Sequence, residues 1–124
     1  MFSITAAGVV SDQRFLERRP EDVKRCMNIN SLGTYYAVQL AVRQMLKQSR
    51  VSTYAGRGAV LMIASISAHQ ASKGQFTSDY CMSKGAVLSL CKQLGVELAE
   101  HDVRVNCLSP GYVVHPGIMS HGFD

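Results

Sequence analysis

The feature that most constrains the fold of this chain is an uninterrupted apolar run, Ala59 to Ala64, between a loop rich in Ser and Gly and a stretch of small polar residues. The run has the length of a strand. A strand with one solvated face would alternate apolar and polar residues, and this run does not alternate. It therefore predicts a strand that is buried on both faces, as in a parallel sheet.

Four further segments surround this strand in an order typical of a parallel α/β sheet. Residues 2–6 and 103–108 are predicted as strands, and helices are predicted over 20–48 and 78–100. The first helix begins with Pro and two acidic residues, which favour a helix N-terminus. Its apolar residues cover most of the circumference, so we expect it to be largely buried. The alternating order predicts right-handed parallel crossovers, and hence half of a doubly wound α/β sheet.

Length and charge exclude several classes of protein. The chain has 124 residues, too few for two ordinary domains. Its net charge is +4, but the basic residues are scattered apart from a short cluster (Arg18, Arg19, Lys24 and Arg25). We interpret this cluster as a solvated helix face rather than a nucleic-acid site, because no aromatic residues interleave with it. Neither a signal peptide nor a membrane-spanning run is evident, so we expect a cytoplasmic protein with neither nucleic acid nor a membrane as partner.

The cysteines and histidines do not indicate a metal site. Four of each are present, and none shows the spacing of a paired Cys or Cys/His ligand set. Three cysteines lie in apolar periodic segments. We therefore expect free, buried thiols and no bound metal.

Tyr80 and Lys84 are four residues apart on the second predicted helix, so both side chains project from one face. A phenol ionises near pH 10, and a cation about 4 Å away lowers that value by up to about three units. This pairing makes Tyr80 a candidate proton donor and acceptor for a carbonyl or alcohol oxygen. The same spacing is also common in pairs that simply lie on a surface.

Two further residues fit this chemistry. Ser65 directly follows the buried strand, where ligands of such sheets bind, and its hydroxyl could bond the same substrate oxygen. Asn30 lies inside the first helix among poor helix formers, where it could hold a water that links Lys84 to solvent. The alternatives are a turn residue for Ser65 and a backbone-bonded or solvated amide for Asn30.

These residues resemble the Asn-Ser-Tyr-Lys tetrad of the short-chain dehydrogenases/reductases. Residues 104–111, RVNCLSPG, also resemble the family's RVNxxxPG segment. The resemblance covers residues 2–116 and implies a Rossmann-like fold, a small carbonyl or alcohol substrate, and NAD or NADP as cofactor, with NADPH slightly favoured. It also implies a homo-oligomer, because the two helices correspond to those at the family's dimer interface. The cofactor contacts that it implies are Gly8, Asn30, Tyr80, Lys84, Pro110, Gly111 and Val113.

The serine spacing is similar to that of a fungal subgroup of the family. Ser65 precedes Tyr80 by fifteen residues, and Ser67 precedes it by thirteen. The longer step resembles the sorbose reductase, mannitol dehydrogenase and arabinitol dehydrogenase group, which implies a ketose-like substrate. We favour Ser65 as the catalytic serine and place Ser67 among the substrate-binding residues with Ser65 and Tyr80.

Three positions depart from the family pattern. Ala6 replaces an Asn that braces the sheet, His115 replaces a Thr that contacts the nicotinamide, and the glycine-rich TGxxxGxG turn is absent. We therefore expect residues 1–124 to be a partial domain: the catalytic half, without the dinucleotide-binding strands and the C-terminal lid. The alternatives are a truncated, inactive fragment or interaction module, and a binding domain whose Tyr and Lys are coincidental.

Overall fold

The computed structural model describes residues 1–113 and contains one three-stranded parallel sheet. Its strands are β1 (Phe2–Thr5), β2 (Gly58–Ile63) and β3 (Val103–Leu108), arranged in the order β1-β2-β3. Ile4 pairs with Leu61, and Leu61 pairs with Asn106. The predicted α/β class and parallel sheet are confirmed, with strand ends that differ from the predicted ones by at most one residue.

The predicted first helix is interrupted. Helix α1 (Pro20–Met27) passes through a π-helical turn, Asn28–Leu32, into helix α2 (Gly33–Leu46). The sequence 28-NINSLG-33 holds two Asn and a Gly, which support a regular α-helix poorly. The prediction of one continuous helix over 20–48 is therefore wrong at this turn, which is where Asn30 lies.

Helix α3 (Ser78–Glu97) ends earlier than predicted and is followed by a 3₁₀ turn, Ala99–His101. Asp102 then adopts a left-handed conformation with φ 58°, which a right-handed helix cannot continue and which leads the chain into β3. Two further 3₁₀ turns, Phe15–Glu17 and Ile66–Ala68, follow β1 and β2.

One hydrophobic core joins the helices to a single face of the sheet. Val60 and Met62 of β2 are 1% and 0% exposed and pack with Val38 and Met45 of α2 and with Val87 of α3. Adjacent residues of a strand point to opposite faces, so Leu61 belongs to the second face and is half-buried. On that face Phe2 and Ile4 of β1 are 62% and 54% exposed. The predicted burial of both faces of β2 is thus complete on the helix-covered face and partial on the second face, where Ala59 is buried and Leu61 and Ile63 are half-buried.

Helix α2 also differs from expectation, because only its sheet-facing side is covered. Tyr36 and Leu40 are 56% and 64% exposed. The prediction of a largely buried helix is therefore wrong within residues 1–113. The sequence pattern shows apolar residues around most of the circumference of the helix. Among the described residues, only the side that faces the sheet has a packing partner.

The basic cluster is not one solvated face. Arg19, Lys24 and Arg25 are exposed, as predicted, whereas the side chain of Arg18 is buried against Asp79 of α3. The four cysteines are free thiols, of which Cys26 and Cys91 are buried and Cys81 and Cys107 are half-buried. Within residues 1–113, no helix is long and apolar enough to cross a bilayer, and no three His, Cys, Asp or Glu side chains cluster as a metal site would require.

Candidate active site

The π-helical turn places the Asn30 side chain, which is fully buried, against the segment that follows β1. Its Nδ2 donates to the Val9 carbonyl at 2.8 Å, and its Oδ1 accepts from the Val9 amide at 2.8 Å. The same Nδ2 lies 2.9 Å from Oγ of Ser83 on α3. The hydroxyl of Thr34 donates to the Asn30 carbonyl at 2.8 Å. The Asn30 side chain therefore links its own π turn to the segment after β1 and to α3. π turns of this kind are frequent at functional sites.

Lys84 is buried although no carboxylate pairs with it among the described residues. Its side chain leaves the residue 4% exposed, and Nζ donates to the carbonyl of Ile63, the last residue of β2, at 2.8 Å. Burial lowers the pKa of the Lys84 ammonium, and the thiols of Cys107 and Cys26 oppose this shift. A buried lysine with a perturbed pKa in a cleft region is a candidate functional group.

Tyr80 lies one helical turn before Lys84, as the spacing predicts. Lys84 Nζ is 5.7 Å from the centroid of the Tyr80 ring. The Tyr80 backbone is held at both ends, because its amide donates to Asp79 Oδ1 at 2.8 Å and its carbonyl accepts from the Ser83 hydroxyl at 2.8 Å. The half-buried ring borders a cavity of about 350 Å³ at the carboxyl end of the sheet.

Both candidate serines border this cavity. Ser65 is 8% exposed and caps the 3₁₀ turn Ile66–Ala68, where its Oγ accepts from the Ser67 amide at 3.2 Å. Ser67 is half-buried on the same wall. Capping a turn was one of the two roles predicted for Ser65. Its position beside Tyr80 is also compatible with the other predicted role, a hydrogen bond to the substrate oxygen.

The segment after β3 completes the opposite wall. The Pro110 carbonyl accepts from the Ile66 amide at 3.0 Å, which fixes this segment beside the turn that follows β2. Gly111 and Val113 then border the cavity with Tyr112, whereas Pro110 holds the wall through its backbone. His115, which departs from the family pattern, lies outside the described residues.

Gly8 lies on the Lys84 side of the site. A Cβ at this position would be 3.5 Å from Asn30 Oδ1 and 3.5 Å from Lys84 Nζ. A side chain at this position would therefore be in van der Waals contact with both polar groups. The structure brings the predicted residues together in two parts, a polar cluster in which the buried Asn30 and Lys84 lie beside Gly8 and a cavity between Tyr80, the serines and the segment after β3.

Several residues of the site were not found by sequence reasoning. Ser83 and Asp79 hold the Tyr80 backbone, and Gln75 and Thr77 add polar groups to the cavity wall. Arg18 reaches the site from sixty-one residues away in sequence through Asp79. The only available signal was that Asp79 and Ser83 flank the Tyr80 motif, since contacts over such separations leave no periodic pattern.

Comparison with known proteins places this geometry in a family. Carbonyl reductase family member 4 of Xenopus tropicalis is 32% identical over 112 residues, which are 90% of this chain and 44% of that protein. D-arabinitol 2-dehydrogenase (ribulose-forming) of Candida tropicalis is 30% identical over 113 residues, which are 91% of this chain and 38% of that protein. The chain thus spans less than half the length of these relatives, and the second of them confirms the resemblance to fungal polyol dehydrogenases.

Solved structures agree in fold. A short-chain type dehydrogenase/reductase from Mycobacterium marinum has a TM-score of 0.82 and 39% identity, over 90% of this chain and 42% of that one. ElxO with NADP bound has a TM-score of 0.81 and 28% identity, over 95% of this chain and 44% of that one. The family model described as short chain dehydrogenase matches residues 3–121. The chain belongs to this family of short-chain dehydrogenases.

Proposed function

We propose that this chain is the catalytic half of an NAD(P)-dependent oxidoreductase that interconverts a small carbonyl compound and the corresponding alcohol. The observation that carries the proposal is the pair Tyr80 and Lys84, one turn apart on α3, with a buried ammonium that has no carboxylate partner in residues 1–113. An uncompensated buried cation is costly to the fold, and such groups concentrate at functional sites.

The residues divide the chemistry as follows. Tyr80 gives its phenolic proton to the carbonyl oxygen during reduction and takes it back during alcohol oxidation. The Lys84 ammonium stabilises the phenolate that forms at Tyr80. Ser65 orients the substrate oxygen, and Ser67 lines the pocket. Asn30 anchors the water through which Lys84 exchanges protons with solvent, a role supported by the proximity of both side chains to the Gly8 position.

The residues present fit the nicotinamide and ribose portion of NAD or NADP. The Lys84 ammonium, which lies beside Gly8 and Asn30, would bond the ribose hydroxyls, and Pro110, Gly111 and Val113 would form a wall for the nicotinamide. The bound cofactor supplies the hydride. The NADP complex of ElxO supports NADPH as the slightly favoured cofactor. Residues 1–124 contain no glycine-rich phosphate turn, so the adenosine half has no counterpart in this sequence.

A ketose-like substrate fits the cavity wall. Ser65, Ser67, Gln75 and Thr77 supply hydroxyl and amide groups around a space of about 350 Å³. These polar groups can bond the hydroxyls of a polyol or sugar, and the apolar residues that form most of the lining, such as Val10, Ile66 and Val113, can contact its carbon skeleton. The D-arabinitol dehydrogenase among the relatives supports the same substrate class.

A second candidate is an inactive module that pairs with another copy or an intact relative. The exposed apolar side chains of α2, including Tyr36 and Leu40, favour it. The same surface supports a homo-oligomer for the active protein.

Four free thiols support a cytoplasmic location. The buried Arg18 removes one member of the basic cluster and so argues further against nucleic acid as a partner.

Fluorescence titration with NADPH and NADH separates these candidates. Micromolar binding by the protein contradicts the inactive module. Reduction of a ketose panel that is lost in Tyr80→Phe supports the proposed reaction, with Tyr35→Phe on the exposed face of α2 as the matched control. Ketose reduction that keeps its rate in Tyr80→Phe would refute the assignment of Tyr80.

A further inference from the structure

A buried ion pair behind the active site connects Arg18 to the first turn of α3. Arg18 Nη1 lies 2.8 Å from Asp79 Oδ2, and both side chains are 2% exposed. Nη1 also donates to Ser11 Oγ at 2.8 Å, while Nη2 donates to the carbonyls of Ser11, Gln13 and Phe76 at 3.0, 3.0 and 2.6 Å. The guanidinium therefore ties the segment after β1 to the segment that enters α3.

The other oxygen of Asp79 acts directly on Tyr80. Asp79 Oδ1 accepts the Tyr80 backbone amide at 2.8 Å. The carboxylate thus bridges Arg18 and Tyr80, and Arg18 also bonds the Phe76 carbonyl in the segment that enters α3. Together with the Ser83 hydroxyl on the Tyr80 carbonyl, these contacts fix the backbone from which the phenol projects.

Stability alone accounts poorly for such a pair. Replacing a buried ion pair by apolar residues of similar size is often neutral or stabilising, because both charges lose their solvation. Here Arg18 Nε is also buried without a hydrogen-bond partner among the described residues, which adds a further penalty. What the pair supplies and an apolar pair would not is a directional hold on the Tyr80 amide.

We propose that Arg18 and Asp79 are positioning residues for Tyr80 in the reaction assigned above, and the inference rests on that proposed function. Neither residue borders the cavity of about 350 Å³ beside Tyr80, so neither touches the substrate there. Their effect is on where the phenol lies relative to the substrate oxygen. A displacement of about 1 Å at a reacting group can reduce a rate by about a hundredfold.

The test compares kcat, KM and urea midpoint in the protein as it occurs, including any sequence that flanks residues 1–124. The double variant Arg18→Met/Asp79→Leu removes both charges together. We expect it to fold, to lose at least about tenfold in kcat and to change KM for the carbonyl substrate and the NADPH Kd less than about threefold. A folded double variant with kcat within about twofold of the wild type would overturn the proposal.

A milder variant covers the case in which the double variant does not fold. Arg18→Lys keeps the charge but cannot make the forked contacts, so we expect a fall of about three- to tenfold in kcat with KM unchanged. Equal kcat values overturn the proposal. Arg50→Met is the matched control, because the Arg50–Asp102 ion pair is partly exposed and involves no residue of the site.

A spectroscopic measurement distinguishes failure of this inference from failure of the proposed function. The aromatic ¹H–¹³C resonances of Tyr80, assigned through Tyr80→Phe, should shift in Arg18→Lys and stay in place in Arg50→Met. Unshifted resonances in Arg18→Lys overturn the positioning role whether or not the wild type reduces ketoses. A wild-type protein that reduces no ketose contradicts the proposed function. The Tyr80 resonances then still show whether Arg18 and Asp79 hold Tyr80 in position.

Discussion

Replacing Lys84 by Met should remove the activity and leave the fold intact. Lys84 is 4% exposed, and its ammonium lies 2.8 Å from the Ile63 carbonyl and 5.7 Å from the centroid of the Tyr80 ring. A buried ion loses several kcal/mol of solvation, of which the hydrogen bond returns about 1.5–3 kcal/mol and the ring about 0.5–2 kcal/mol. The net contribution of the charge is therefore close to zero or unfavourable.

Methionine fills similar space without a charge, although it leaves the Ile63 carbonyl without its donor. We expect Lys84→Met to change the free energy of unfolding at pH 7 by no more than about 1 kcal/mol in either direction. Breaking a buried ion pair by removing one partner would instead cost about 3–5 kcal/mol. The size of the change in the free energy of unfolding therefore distinguishes a lysine that serves the reaction from a lysine that stabilises the fold.

The pH dependence provides an independent sign. Because burial lowers the pKa of Lys84 in the folded state, the unfolded chain holds that proton more tightly. The folded wild type is thus penalised at pH values below its lowered pKa, and the penalty disappears as the pH approaches the ordinary value of 10.5. Burial raises the pKa of Cys26 and Cys91, which lowers stability at alkaline pH in both proteins. The Cys91 contribution cancels in the comparison, whereas that of Cys26 differs because its thiol interacts with the Lys84 charge.

Urea titrations between pH 7 and pH 10 measure both quantities. The stability of the wild type relative to Lys84→Met should rise across this range. Lys92→Met, which alters an exposed lysine two turns further along α3, is the control and should show no such trend. A loss of about 3 kcal/mol or more in Lys84→Met, with a difference that does not vary with pH, would refute the reasoning.

Four further substitutions test separate parts of the structure. In Gly8→Ala the added Cβ would lie 3.5 Å from the Lys84 ammonium, which is an ordinary van der Waals contact. The free energy of unfolding should therefore change by less than about 0.5 kcal/mol, while the NADPH Kd rises at least about tenfold. An unchanged Kd would show that Gly8 is not part of the cofactor site. Gly56→Ala should cost about 2 kcal/mol or more in urea unfolding, because φ is +65° and the Cβ would overlap a backbone carbonyl oxygen; Gly85→Ala, in open space on α3, should instead stabilise by about 0.5–1 kcal/mol. Leu40→Glu, at a position that is 64% exposed, should leave the circular dichroism spectrum unchanged and convert an oligomer to a monomer in sedimentation velocity, and an unchanged sedimentation coefficient would contradict an interface on α2.

The sequence predicted those parts of the structure that depend on short-range patterns. The unbroken apolar run predicted β2 as a buried strand of a parallel sheet, and helical spacing placed Tyr80 and Lys84 on one face of α3. The π turn at Asn30 was not predicted, although poor helix formers were noted there, because low propensity does not specify which irregular conformation replaces the helix. Burial was overestimated on α2 because an apolar circumference indicates what a helix can bury and not which partners are present.

The environment of the two central groups depends on contacts that no local pattern encodes. Tyr80 is held by Arg18 through Asp79, and Lys84 is desolvated beneath a strand end twenty-one residues earlier in sequence. A Tyr and a Lys at this spacing on an exposed helix would have the same sequence signature and none of this chemistry, since solvent would screen the charge. In the folded protein, burial limits the screening of the Lys84 charge by solvent, and the surrounding hydrogen bonds hold the backbone of Tyr80 in one position. The specificity of the motif therefore resides less in its own two residues than in the distant Arg18, Asn30 and Ile63 that enclose it.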